Sequence, residues 1–406
     1  NFASNLDNEL KSNVVKIFSN LTAFAALKTN GSVVCWGSHL QGGTTPLAEN
    51  SDVIEIFSTS SAFAALKSNG SVITWGEIKA GADSSKVQDL LKLGVVSIAS
   101  TDFAFAALKD DGSVVSWGNK KFGGASDNIL GLKSSVSNIY SNYAAFAAIK
   151  EDGSVISWGD PSYGGDSSKV SKDLQSGVIQ IFKTDSSFAA LKSDGSLVTW
   201  GNPQEGGDSS SVSSKINKGI VHVYSTPSAF AALKNDGSVV TWGNQQEGGD
   251  SSSVSAQLNS GVTQIFSTGA AFVALKNDGS VITWGFPSYG GDSSNVANSL
   301  ADIVAFANPI TDDRLAETYL IKPTVSIINE GGQFSTNINT TNVANGTKLY
   351  WEFSGKGITS DDFDGGSLTG VALISDSKYN FPTSIRNDNL TEGSELLEIK
   401  LYSDDQ

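Results

Sequence analysis

The chain has one cysteine, no methionine, two histidines and two arginines, Arg314 and Arg386, in 406 residues. A single cysteine excludes an internal disulfide and a multi-cysteine metal site. No apolar run reaches the length of a signal peptide or a membrane span, so no membrane insertion is expected. Basic residues are scarce: 27 Lys and Arg stand against 42 Asp and Glu, a formal net charge of -15. Phosphate binding needs a basic face that displaces counterions, so a nucleic-acid partner is excluded, and an anionic membrane surface is disfavoured. His39 and His222 read as ordinary sequence variation in a loop and a strand rather than as bases. No phosphate loop, nucleophile elbow, HExxH or isolated acid pair accompanies them, so the expectation is a protein that is not an enzyme. Without a methionine, translation cannot begin at Asn1, and the expectation is a processed or excised piece of a longer precursor.

What the chain has in abundance is repetition. A Trp-Gly pair falls at Trp36, Trp75, Trp117, Trp158, Trp200, Trp242 and Trp284, at steps of 39, 42, 41, 42, 42 and 42 residues. Such a period marks supersecondary units that bury their apolar faces only against one another. In the copy closed by Trp200, Val178 to Phe182 and Phe188 to Leu191 are β-branched, aromatic and aliphatic runs of strand type. Asn-Gly or Asp-Gly follows the second run in every copy, from Asn30-Gly31 to Asp278-Gly279. That pair between apolar runs is a strong hairpin signal, with positive φ expected at both residues. A third strand ends at the Trp-Gly pair. Cys35 takes the slot held elsewhere by Thr74, Ser116, Ser157, Thr199, Thr241 and Thr283, and reads as a small strand residue.

The connectors read GGDSS at 164–168, 206–210, 248–252 and 290–294. Asp166 with Val170 and Leu174 predicts a capped helix of about two turns, the Asp accepting from free backbone N–H groups. Three short strands and a connector per repeat point to an all-β chain built as a β-propeller, whose radial closure leaves few exposed edges, with a solenoid as the competing architecture. Residues 302–322 echo the first two strands of an eighth copy but lack its turn and its Trp-Gly ending.

The repeats resemble the regulator of chromosome condensation family, and more closely its short bacterial form, as in β-lactamase inhibitor protein II: a Gly-Val start, a hydrophobic strand, Ala-Leu-Lys, Asp-Gly, Val, Trp-Gly. The resemblance spans residues 13–285 and implies a seven-bladed β-propeller. From Pro323 the pattern changes to TVSIINEGGQFSTNINT, KLYWEF, SDDF and NDNLTEGSELLEIKLYS, which resembles the Calx-beta domain, a small β-sandwich. The expected division is 1–322 for the propeller with its partial eighth repeat and 323–406 for the sandwich. The resemblance implies one more strand after the position of Leu401 and Tyr402, and the expectation is that the chain was cut there or that another chain supplies the strand.

The Calx-beta resemblance implies a calcium site between loops, and its matching positions are Glu330, Asp361, Asp362, Asp388 and Glu392; calcium takes six to eight oxygen ligands, so several carboxylates must converge. In the inhibitor that the repeats resemble, aromatic side chains on one propeller rim form the binding surface. Here Phe103 and Tyr143 precede second strands, and Phe122, Tyr163, Phe286 and Tyr289 follow Trp-Gly pairs; these six are the candidate contacts for a protein or glycan. Plain, near-identical rims favour a structural or adhesive module of a secreted or cell-surface, bacterial protein, with the sandwich as a calcium-stiffened connector. Aromatics concentrated on one rim favour a dedicated binding protein, inhibitor-like or lectin-like. The near-identity of the GGDSS connectors leans the sequence reading to the first, with an extracellular setting and with cell-surface proteins, glycans or further copies of the chain as partners.

Overall fold

The computed structural model describes residues 10–45, 51–300, 318–323, 331–341, 347–355, 358–374, 378–386 and 397–402. Its contacts divide the chain into two units, Asn1–Ala305 and Phe306–Gln406.

The first unit is a seven-bladed β-propeller, each blade an antiparallel three-stranded sheet in sequence order. The fifth blade is representative, with strands Val178–Lys183, Ser187–Lys192 and Leu197–Gly201. Middle strands such as Ala104–Lys109 and Ala229–Lys234 are buried along nearly their whole length. A strand covered on both faces has no polar side, which explains the unbroken AFAALK run where a half-exposed strand would alternate. The alanines admit the neighbouring sheets, while Phe230 stacks on Trp242 within its own blade at 5.2 Å.

The hairpin turn differs from the expected form. Gly31 has φ 75°, yet none of the Asn or Asp residues before the turn glycines has positive φ. Lys28 N–H donates to Ser32 C=O and Gly31 N–H to Lys28 C=O, the pattern of a three-residue loop with a left-handed glycine. The preceding Asn or Asp acts through its side chain instead, as where Asp194 Oδ1 accepts from both the backbone N–H and the hydroxyl of Ser196. The two-turn helices predicted after Asp166, Asp208 and Asp250 are replaced by single 3-10 turns at Ser168–Val170, Ser210–Val212 and Ser252–Val254, whereas the connector after Asp292 carries a longer 3-10 helix, Ser294–Ser299. Asp166 does accept from Ser168 N–H, as a cap would. Serines that bond back to the backbone offer it an alternative to the helix and do not extend it, and Leu174 is buried from the turn that follows.

Consecutive blades meet through one repeated junction. The left-handed glycine after each Trp-Gly pair lies against the phenylalanine of the next blade, so closely that a Cβ on Gly206 would stand 2.5 Å from Phe230. The same glycine's carbonyl accepts from the next blade's indole, as Trp242 Nε1 to Gly206 O at 3.0 Å. Six apolar clusters follow, each drawn from two successive blades. The seventh junction, blade 7 onto blade 1, is not made among the described residues. A Cβ on Gly290 would meet nothing within 4 Å. On the first blade Phe24 is 44 % and Ile17 57 % exposed, whereas Phe63 and Ile56 on the second are 0 % and 3 % exposed.

The second unit carries two sheets: Thr318–Pro323, Gln333–Thr341 and Lys378–Ser384 in one, Thr369–Leu373, Lys348–Ser354 and Glu398–Tyr402 in the other. Phe334, Ile338 and Phe381 from the first meet Leu349, Phe353 and Ala372 from the second in one core, which makes a β-sandwich. Thr318–Pro323 pairs with Gln333–Thr341 over its full length. This strand, which the expected division after residue 322 assigns almost wholly to the propeller, is thus part of the second unit. The rest of the expected partial eighth repeat lies outside the described residues.

Candidate functional site

In each blade the loop between the first two strands and the turn after Trp-Gly sit at one end of the sheet, because the first residue of the middle strand pairs with the last residue of the third, as Ala145 does with Gly159. The loop's leading Thr or Asn then ties the two together. Thr101 Oγ1 donates to Phe122 O at 3.0 Å, Asn142 Nδ2 to Tyr163 O at 2.7 Å and Thr184 Oγ1 to Glu205 O at 3.0 Å. The middle loop residue links to the next blade through the backbone: Ser60 N–H to Asp102 C=O, Asp102 N–H to Tyr143 C=O, Tyr143 N–H to Asp185 C=O and Asp185 N–H to Pro227 C=O. The result is one rim on which corresponding residues of successive blades are neighbours.

Four of the six predicted aromatic contacts come together there. Phe103 meets Phe122 edge-on at 4.7 Å, Phe122 meets Tyr143 at 5.9 Å, and Tyr143 stacks on Tyr163 at 5.5 Å. The rings form a ladder across blades 3 and 4, with Tyr143, 40 % exposed, its most exposed member. Phe286 and Tyr289 lie apart on blade 7, edge-on to each other at 5.7 Å and both exposed. Phe286 also lines an open cleft of about 480 Å³ with Gln245, Gln246 and Asp250.

Acidic residues flank the ladder. Asp102 and Asp185 occupy the loop positions on either side of Tyr143, and Glu205 follows on blade 5, where it accepts from the Ser186 hydroxyl. Burial and then the like charge of Asp185 raise the Asp102 carboxyl above the ordinary range. Burial and then the charge of Asp102 raise the Tyr143 phenol. Lys121, on the turn that carries Phe122, is spent on the buried Asp160 at 3.2 Å. The aromatic positions are legible in the sequence, whereas Asp102 and Asp185 do not stand out in it; their signal is the shared register with Tyr143.

The remaining described candidates have local partners or are buried. His222 packs edge-on to Phe182 and Tyr224, and His39 Nδ1 lies 2.9 Å from Thr44 Oγ1. Cys35 is buried, which pushes its thiol up to about 12 and leaves it without thiolate character at neutral pH. Of the residues expected to bind calcium, Glu330, Asp388 and Glu392 lie outside the described residues. Asp362 accepts from Thr359 N–H and hydroxyl in a capping box, and Asp361 faces the Arg386 guanidinium at 3.9 Å. Among the described residues no group of three or more possible ligands converges, and these two carboxylates do not by themselves fit a calcium ion.

No family model and no curated protein matches the chain. Among solved structures, human WBSCR16 is 16 % identical and matches over 58 % of this chain and 78 % of its own, with a TM-score of 0.38. Prp20p of Saccharomyces cerevisiae, described for its binding to Gsp1p and histones, is 16 % identical over 69 % of this chain and 73 % of its own, with a TM-score of 0.35. The Cps50 (Swd1) β-propeller domain of Myceliophteria thermophila is 10 % identical over 68 % and 98 %, with a TM-score of 0.26. At these values the likeness says nothing of partners, and the propeller follows from the sheets and junctions of the chain itself.

Proposed function

We propose that the chain is a dedicated protein-binding propeller whose contact surface is the ladder of Phe103, Phe122, Tyr143 and Tyr163. The observation that carries this reading is the ladder's confinement to two blades. At the loop position of Tyr143 the other blades carry Leu21, Ser60, Asp102, Asp185, Pro227 and Gly269, and at the turn position of Phe122 and Tyr163 they carry Gln41, Ala80, Glu205, Glu247 and Tyr289. A scaffold needing only structural rims has no use for four adjoining, partly exposed rings in one sector, whereas rigid aromatic anchors are the usual centre of a protein interface. The setting we favour is a secreted or cell-surface protein, supported by the resemblance of the second unit to Calx-beta domains.

The test is selection of a displayed random peptide library on the whole chain, with counter-selection on a Phe122→Ala/Tyr143→Ala/Tyr163→Ala variant whose thermal melt matches the parent. Peptides that bind the parent and not the variant are expected. Peptides held equally by both, or a chain that selects no peptide and binds a glycan array, contradict the proposal.

A further inference from the structure

The ladder does not stand on neutral ground, and its surroundings specify what the partner brings. Tyr143 is held between Asp102 and Asp185 by two backbone hydrogen bonds, Asp102 N–H to Tyr143 C=O at 3.0 Å and Tyr143 N–H to Asp185 C=O at 3.2 Å. Asp102 is half-buried, and among the described residues no ion pair or hydrogen bond is made to its carboxylate. It lies close enough to Asp185 for the two charges to oppose each other. A half-buried carboxylate with no ion pair of its own is an unfavourable arrangement that a partner's cation would relieve. The group between them is an exposed, electron-rich ring stacked on a second tyrosine, and such a face attracts a cation on its own account.

Resting on the reading of the ladder as the contact surface, we infer that the partner inserts a lysine or arginine side chain over Tyr143 between Asp102 and Asp185, its apolar neighbours covering Phe122 and Phe103. Asp102 supplies the ion pair, the tyrosine ring supplies the cation–π contact, and the phenylalanines accept the aliphatic stem and flanking residues, as long basic side chains present them. The occupant is a basic protein segment; the strongly acidic balance of the chain, -15 in all, steers such a partner toward it.

The experiment uses peptides selected on the whole chain as above. Their basic residue is replaced by a neutral isostere, norleucine for lysine or citrulline for arginine, and affinities are measured on the parent and on an Asp102→Asn/Asp185→Asn variant. On the parent the neutral peptide is expected to bind at least about tenfold more weakly. On the variant the two peptides are expected to bind alike, and raised salt is expected to weaken only the basic peptide on the parent. Ladder-dependent peptides that lack a basic residue, or that bind equally after neutralisation, overturn the cation while leaving the ladder intact. A library that yields no ladder-dependent peptide overturns both.

Discussion

Interior blades and the first blade are built from the same residues and fare differently. Phe230, stacked on Trp242, is wholly buried because Gly206 of the preceding blade closes over it; Phe24, stacked on Trp36 at 5.2 Å, has no such neighbour among the described residues and is 44 % exposed. The comparison separates what a blade contains from what the array adds. Within a blade the hairpins and the Phe–Trp stack are complete, while burial of the phenylalanine, the strand-one isoleucine and the indole N–H is supplied by the neighbour. That supply is worth about 1.5–3 kcal/mol for each large apolar side chain and about 1 kcal/mol for the hydrogen bond, which makes an array of blades cooperative and a lone blade unstable.

The largest effect should come from the junction itself. Phe230→Ala is expected to cost about 3–5 kcal/mol in chemical denaturation, and Phe24→Ala less than half as much, since its ring is already partly solvated. Equal costs would mean that blade 1 is covered in solution by blade 7 or by another copy. Gly206→Val and Gly290→Val sharpen the point, because both glycines have φ near 100° and share the backbone strain, while only the first would drive a side chain into a phenylalanine. The difference between their unfolding free energies reads the junction alone, and the Gly206 variant should be the weaker.

A smaller effect distinguishes blades at the start of the first strand. Gly94, Gly177, Gly219 and Gly261 hold positive φ there, and Ser135 holds φ 62° at the matching position of blade 4. Ser135→Gly should raise stability by about 1 kcal/mol, as relief of left-handed strain in a residue whose side chain is poorly suited to it. An unchanged or lower melting temperature would show that the serine side chain repays its conformation.

The smallest effect is in the acid range. Asp111, Asp152, Asp194, Asp236 and Asp278 accept from the following serine's hydroxyl and then its backbone N–H, which hold their carboxyls below the ordinary value. With folded values below unfolded ones, their contribution is present at neutral pH and is lost as pH falls through the folded values, below about pH 4. Replacing all five by Asn, the residue that blades 1 and 2 carry at Asn30 and Asn69, keeps the acceptors and should flatten the acid limb of the stability profile. An unaltered limb would place the acid sensitivity elsewhere.

Much of the fold is readable from the chain because the repeat states its rules seven times. The Trp-Gly pairs, the turn glycines and the unbroken middle strands each answer to one local requirement that recurs, so their registers align without coordinates. The turn class is not readable because Asn-Gly serves two loop geometries, and only the backbone pairing of Lys28 with Ser32 separates them. The connectors read as longer helices than they are because serine and aspartate satisfy a cap and then compete with the helix they start. At the rim, Phe103 and Tyr163 are visible as aromatics in loops, but their adjacency depends on how two blades approach, and nothing local encodes that. Asp102 and Asp185 are hidden for the same reason: each is a single substitution in a variable slot, and they gain meaning only as the two neighbours of Tyr143.

The most direct measurement is the affinity of a ladder-selected peptide for single alanine variants at Leu21, Ser60, Asp102, Tyr143, Asp185, Pro227 and Gly269, the corresponding loop positions of the seven blades. Losses of about tenfold or more are expected at Asp102, Tyr143 and Asp185, with little change at the other four, as a centred group of anchors requires. Losses spread evenly round the rim, or concentrated at Gly269 beside the exposed Phe286 and Tyr289 of blade 7, would contradict the account.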